Sequence, residues 1–160
     1  MSEAADHGFR DGPLTGIRII DLSAVISGPF ATAMLADQGA DVIHVERADA
    51  PDIVRASGPM VEGSGMSAMF SAMNRNKRNI VIDLKQDAGR ELLLELVRDA
   101  DVVVQNFRPG ALDRLGVGWS VLSAINPDLI MCSVSGFGND GPYAHRPAFD
   151  PIVQIGRAHV

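Results

Sequence analysis

The chain has 160 residues, 46% of them hydrophobic and 21% charged, which is the size and balance of one globular domain and excludes a disordered or low-complexity chain. Twenty acids against 14 bases leave a net charge of −6, which argues against a general nucleic-acid binder but leaves room for a phosphorylated ligand on a local basic patch. A single cysteine, Cys132, excludes an internal disulfide and a CxxC metal site. No run approaches the roughly 18 apolar residues of a membrane span. The polar start MSEAADHGFRDG has no export-type apolar segment, so the expected location is the cytoplasm.

Residues 1–15 read as a polar tail. Strand-like runs then alternate with helix-like patterns. Arg18–Leu22 is a short β-branched run. Pro29–Gln38 is a helix, with Ser27-Gly28-Pro29 as its start signal, Pro29 as its first residue and Gly39 as its stop. Asp41–Glu46 is a second strand. Residues 48–65 form a long Gly/Pro/Asp loop, a length more often functional than idle. Met66–Met73 is a short helix and Asn79–Leu84 a third strand. Asp87–Ala100 is the clearest helix, with Leu93, Leu96, Val97 and Ala100 on one stripe. Asp101–Phe107 is a fourth strand, Pro109–Leu115 a helical turn, Trp119–Ile125 a short helix and Asp128–Val134 a fifth strand. This alternation predicts an α/β fold of Rossmann-like kind, a mainly parallel sheet with helices on both faces. The continuous apolar run at 102–104 fits a strand buried on both sides.

In such folds ligands gather at the carboxyl ends of strands, and helix N-termini attract phosphates. Ser27-Gly28 before a helix therefore suits a pyrophosphate; the same residues also make a plain helix cap. GxGxxG and GxxxxGK[ST] are both absent, which removes support for a conventional NAD fold and for a P-loop NTPase. Ten of the 14 bases lie between Arg47 and Arg114. Arg47 closes the second strand, Asn74-Arg75-Asn76-Lys77-Arg78 is a basic turn before the third, Lys85 ends the third, and Asn106-Phe107-Arg108 ends the fourth, with Arg114 one turn on. Singly, each reads as a solvated charge; their recurrence around strand ends suggests an anion site, with arginines holding phosphate and Phe107 offering an apolar wall. His44 reads as structural or exposed, and His145 as a loop residue. Cys132 reads as a buried core thiol. No cluster has metal-ligand spacing, no GxSxG elbow occurs, and no catalytic constellation is complete.

The segments GPLTGIRIIDLS, SGPFATAMLADQGADVIHVER, NRNKRNIVIDLK, DVVVQNFRPGALDRLG, INPDLIMCSVSGFG and DGPYAHRPAFD, from Gly12 to Gln154, resemble the class III CoA-transferase family. That family (the CaiB/BaiF type) includes formyl-CoA transferases, carnitine CoA-transferases and α-methylacyl-CoA racemases. The resemblance implies an interlocked homodimer with a Rossmann-like large domain, here present as its N-terminal part over 16–154. It implies transfer of CoA between carboxylic acids, without a metal, through an aspartyl-acyl anhydride and an aspartyl-CoA thioester. It implies contacts to coenzyme A at Ile26, Ser27, Arg47, Ile82, Lys85, Asn106, Phe107, Arg108 and Arg114.

The nucleophilic aspartate is expected beyond residue 160, so no catalytic residue is assigned within the chain and the chain alone is expected to be inactive. The racemases' catalytic histidine is replaced in Ala148-Phe149-Asp150, which disfavours racemase chemistry; a racemase-type enzyme or a non-catalytic CoA-binding module remain the alternatives. The last six residues, IGRAHV, match the translation of a sequencing-adapter oligonucleotide, and 155–160 are expected to be an artefactual tail.

Overall fold

The alternating pattern folds as five parallel strands crossed by helices. In the computed structural model, which describes residues 11–47 and 49–148, the strands are β1 (Arg18–Asp21), β2 (Asp41–Glu46), β3 (Arg78–Val81), β4 (Val102–Gln105) and β5 (Ile130–Ser133). Their order is β3-β2-β1-β4-β5, and every neighbouring pair is parallel. The helices are α1 (Ser27–Ala36), α2 (Ala68–Met73), α3 (Asp87–Arg98), α4 (Ala111–Arg114) and α5 (Trp119–Ile125).

Both sheet faces are covered. On one, Leu93 and Val97 of α3, Leu112 of α4 and Leu122 of α5 pack with Ile20, Ile43, Val45 and Val103. On the other, Ala36 of α1 packs with Ile19, Val42 and Val104. The stripe on α3 therefore does what its spacing predicts, and complete burial of a side chain such as Leu93 contributes about 2 kcal/mol. Among the described residues no helix is long and apolar enough to cross a membrane.

Several boundaries differ from the pattern, each for a local reason. β3 stops at Val81, three residues early, because β2 ends at Glu46 and the last rung is Ile82 N–H to the Glu46 carbonyl, 2.9 Å. Helix α1 starts at Ser27, so Pro29 is its third residue rather than its first; the missing N–H costs nothing there, since first-turn donors have no intrahelical partner. Gly39, with φ +97°, supplies the expected stop. The segment read as tail is docked from Gly12 onward: Leu14 N–H donates to the Gln38 carbonyl at 3.0 Å, and Leu14 packs on the α1 core. The 48–65 loop contains a 3-10 turn over Ile53–Ala56. Cys132 is exposed, not buried. β5 is an edge strand, and α1 packs on the central strands and leaves its outward residues Ile130 and Cys132 in solvent.

Two buried carboxylates tie these layers together. Asp21, fully buried at the end of β1, accepts from Ser23 N–H (3.0 Å) and Thr32 Oγ1 (2.6 Å), from the Ser23 hydroxyl, and from Lys77 Nζ (2.9 Å). The Lys77 ammonium is equally enclosed, and its other donors reach the Pro29 carbonyl at 2.8 Å and Asn74 Oδ1 at 2.9 Å. All three of its hydrogens are thus used. His44 Nδ1 lies 3.3 Å from Asp21 Oδ2. An ionised carboxylate only accepts, so Nδ1 carries the proton there and the buried Nε2 is left without a partner. Burial opposes ionisation of Asp21, but the bond from His44 and the charge of Lys77 outweigh it and hold the carboxyl far below its usual range. Burial pushes the Lys77 ammonium down, with Asp21 opposing.

Glu46 is the second hub. It accepts from Arg55 Nε at 2.8 Å, Asn79 Nδ2 at 2.6 Å and Asp52 N–H at 3.3 Å. Arg55 also stacks 3.9 Å above the Phe70 ring. Burial works against the Glu46 charge, but the bonds from Arg55 and Asn79 prevail and lower its pKa from 4.5 to about 2.

Two outcomes are expected. Lys77→Met leaves the Asp21 charge buried and unpaired, and should cost about 3–5 kcal/mol in urea unfolding; a loss under about 1 kcal/mol would remove the pair from its central place. A carboxylate with a depressed folded pKa stabilises the fold above its unfolded pKa and loses that contribution as pH falls. The Glu46 contribution should therefore be complete above about pH 4.5 and fade toward about pH 2. Thermal melts of Glu46→Gln should show roughly 2–3 kcal/mol less stability at neutral pH and a flatter acid limb.

Candidate functional site

The carboxyl ends of β2, β3 and β4 open onto a cleft of about 300 Å³ lined by Arg47, Asp83, Leu84, Lys85, Phe107, Ala111, Arg114 and Leu115. Each side chain arrives for a local reason. Arg47 is the residue after β2. Leu84 turns into the core and anchors the segment that carries Lys85 outward. Phe107 follows β4, half-buried against the α3 side of the core, where Leu115 also packs. Helix α4 is a single turn, started by Gly110 at φ +73°, and it brings Arg114 to the rim.

The cleft is thus apolar at its base and cationic at its mouth. Arg47 and Lys85 are about half exposed and share one carboxylate. Arg47 donates from Nε to Asp49 Oδ1 and from Nη2 to Asp49 Oδ2, both at 3.0 Å. Lys85 Nζ donates to Asp49 Oδ2 at 2.6 Å. The bonds from Lys85 and Arg47 hold the Asp49 carboxyl below its usual range, so it is ionised at neutral pH. Arg114 has no ion-pair partner among the described residues.

Beside the cleft, the turn after β1 is held from both sides. Asn106 Oδ1 accepts from Ala24 N–H at 3.0 Å and Asn106 Nδ2 donates to the Ala24 carbonyl at 2.7 Å. Asp52 Oδ2 accepts from Val25 N–H at 2.8 Å. Between these clamps Val25 is in the left-handed region, φ +72°, which is costly for a β-branched residue. Gly28 is fixed by a close approach: a Cβ there would lie 2.2 Å from Ser23 Oγ. Helix α1 begins with no side-chain cap, and Ile26 and Ser27 are exposed at its start.

The structure brings four of the nine expected contact residues, Arg47, Lys85, Phe107 and Arg114, onto one cleft. The other five are placed otherwise. Ile26 and Ser27 lie outside its lining, as does Asn106, whose amide holds the turn before them through Ala24. Ile82 is 3% exposed and belongs to the core, with no side-chain surface to offer. Arg108 lines a different cavity, of about 430 Å³, with Trp119 and Met131. That cavity is larger but is lined by one cation and one carboxylate, Asp113.

The basic turn 74–78 departs from the expected anion site. Its charges do not wait for an anion: Lys77 is buried on Asp21, Arg75 pairs with Asp37 and Arg78 with Asp41. Asp49 is not marked in the sequence, because a loop aspartate two residues from an arginine carries no signal of its own. His145 is an exposed loop residue, as read, and His44 is buried. Phe149, Asp150 and the last ten residues lie outside the described residues. Among the described residues no group of three His, Cys, Asp or Glu could hold a metal ion.

Comparison with known proteins agrees with this architecture. The chain is 49% identical over 143 residues to the acetyl-CoA:oxalate CoA-transferase of Acetobacter aceti, matching 89% of this chain and 36% of that protein. It is 48% identical over 154 residues to the succinate–glutarate CoA-transferase of Agrobacterium fabrum, matching 93% of this chain and 38% of that one. The crystal structure of a CaiB/BaiF family protein from Brucella suis superposes with a TM-score of 0.86 at 43% identity, covering 91% of this chain and 39% of that one. The chain therefore spans little more than a third of the length of these relatives. The model of CoA-transferase family III matches residues 14–157, and this chain belongs to that family.

Proposed function

We propose that this chain is the CoA-binding part of an acyl-CoA:carboxylate CoA-transferase, with the cleft between Arg47, Lys85, Phe107 and Arg114 as its coenzyme A site. The observation that carries the reading is the convergence of three cations, one from each of the segments that follow β2, β3 and β4, on one apolar-based cleft. Coenzyme A presents a 3′-phosphate and a pyrophosphate beside an adenine ring. Arginine forks match phosphate oxygens in pairs, and a lysine adds a mobile point charge. Phe107 and Leu115 offer the adenine an apolar wall. Ile26 and Ser27 extend the site at the uncapped start of α1, where free N–H groups favour an anion. Asn106 positions that turn rather than touching ligand with its amide, since the amide is occupied by Ala24.

The reaction we assign to the intact protein is transfer of CoA between carboxylic acids. An aspartate carboxylate attacks the thioester carbonyl, the carbon–sulfur bond breaks, and CoA leaves as thiolate with a mixed anhydride behind it. The thiolate then attacks the aspartyl carbonyl of the anhydride and releases the donor acid. The acceptor carboxylate attacks the resulting aspartyl thioester, and CoA finally returns to the new acyl group. That aspartate belongs, on this reading, to sequence beyond residue 160, so these residues alone bind CoA without turnover. The relatives' names support CoA thioesters and carboxylic acids as the substrate classes. An interlocked homodimer and a cytoplasmic location complete the proposal.

Calorimetric titration of CoA into the chain tests the site. Arg47→Ala and Arg114→Ala should each weaken binding about tenfold or more, the worth of a charge-assisted phosphate contact. Equal affinity in wild type and both variants would remove the cleft as the site. Asn106→Ala should lower stability by about 1–2 kcal/mol through two lost loop bonds, and should also weaken CoA binding, because the turn carrying Ile26 and Ser27 is freed.

A further inference from the structure

Two of the three cations at the cleft mouth are engaged by one side chain that no sequence motif marks. Asp49 meets the Arg47 guanidinium fork-to-carboxylate, through two parallel bonds of 3.0 Å, and the Lys85 ammonium through a third of 2.6 Å. This is the geometry in which the same donors would grip two oxygens of a phosphate. A carboxylate carries one negative charge in that position, whereas a phosphate monoester carries close to two. All three side chains are well exposed, and exposed ion pairs are individually weak. The arrangement is therefore held closed by little and opened by a stronger anion. Arg114, without an ion-pair partner among the described residues, lines the same cleft and leaves a third cation open to that anion.

We propose that Asp49 is an internal competitor for the phosphate subsite, an anion of the protein's own that a phosphate group of the ligand must displace from Arg47 and Lys85. The inference rests on the coenzyme A reading of the cleft and adds to it a residue that sets affinity and selects by charge. A ligand bearing a dianionic phosphate opens the Asp49 bonds and is bound. A singly charged carboxylate has no advantage over Asp49 and is refused. Free carboxylic acids are thereby kept off the phosphate cations.

The test is calorimetric titration of coenzyme A, and separately of 3′-dephospho-CoA, into the wild-type chain and Asp49→Asn at low and at high salt. The asparagine keeps the size of the side chain and loses its charge, and a melt confirms that this exposed change leaves the fold intact. Asp49→Asn should bind coenzyme A about threefold to tenfold more tightly at low salt, with the gain shrinking at high salt. In an Arg47→Ala/Lys85→Ala background the same substitution should gain nothing. A gain for coenzyme A alone assigns the displacing group as the dianionic 3′-phosphate; an equal gain for 3′-dephospho-CoA, whose pyrophosphate carries one charge on each phosphorus, overturns the selection by charge. If wild type binds coenzyme A in an Arg114-dependent way but Asp49→Asn binds equally or more weakly, the competitor role is overturned and the cleft stands. If neither protein binds coenzyme A, the reading of the cleft fails and the inference falls with it.

Discussion

The buried pairing of Asp21 with Lys77 is the interaction on which the rest of this fold depends. Removing two charges from water costs several kcal/mol for each ion, and the cost is met only when every remaining lone pair and hydrogen is satisfied. That condition forces neighbours into place. Thr32 and the Pro29 carbonyl belong to α1, Asn74 to the end of α2, and His44 to β2. One carboxylate and one ammonium thus fix a strand, the helix after it, the next strand and the turn that enters β3. Local shifts of α1 are prohibitive, because they would expose a charge to an apolar interior rather than merely loosen a contact.

This rigidity has a use at the carboxyl ends of the strands. In a doubly wound sheet the usual ligand crevice opens where neighbouring strands send their chains in opposite directions, here between β1 and β4. Asn106 bridges that gap by pairing with both backbone groups of Ala24. The cleft with three cations lies instead among the ends of β2, β3 and β4, on the side of α3 and α4. Val25 shows that the bridging is enforced, since its backbone is held in a region that valine avoids by Asp52 on one side and Asn106 on the other.

Much of this architecture was legible in the residues. The stripe on α3, the β-branched runs and the Gly39 stop each act through local physics that a sequence carries openly. The sheet order and the ends of the strands did not share that property: β3 stops where its partner stops, which no reading of β3 alone reveals. Arg47, Lys85, Phe107 and Arg114 can be placed near strand ends from the sequence, because strand ends are recognisable and a Rossmann-like sheet gathers them; that the four line one cleft is a property of the fold. Lys77 looks in sequence like a member of an anion-binding turn, because burial of a charge depends on a partner 56 positions away. Cys132 shows the opposite case, a thiol whose apolar run suggests burial, since a strand's place at the sheet edge is a property of topology rather than of composition.

That edge position matters for handling the molecule. Cys132 is the one thiol in 160 residues, and it faces outward. Accessible thiols oxidise, and two such chains in air can join through an intermolecular disulfide. The covalent species so formed would have twice the mass and owe nothing to a biological interface. Size measurements on this protein therefore need reductant throughout. The same accessible thiol also provides a single address for a fluorophore on the edge strand.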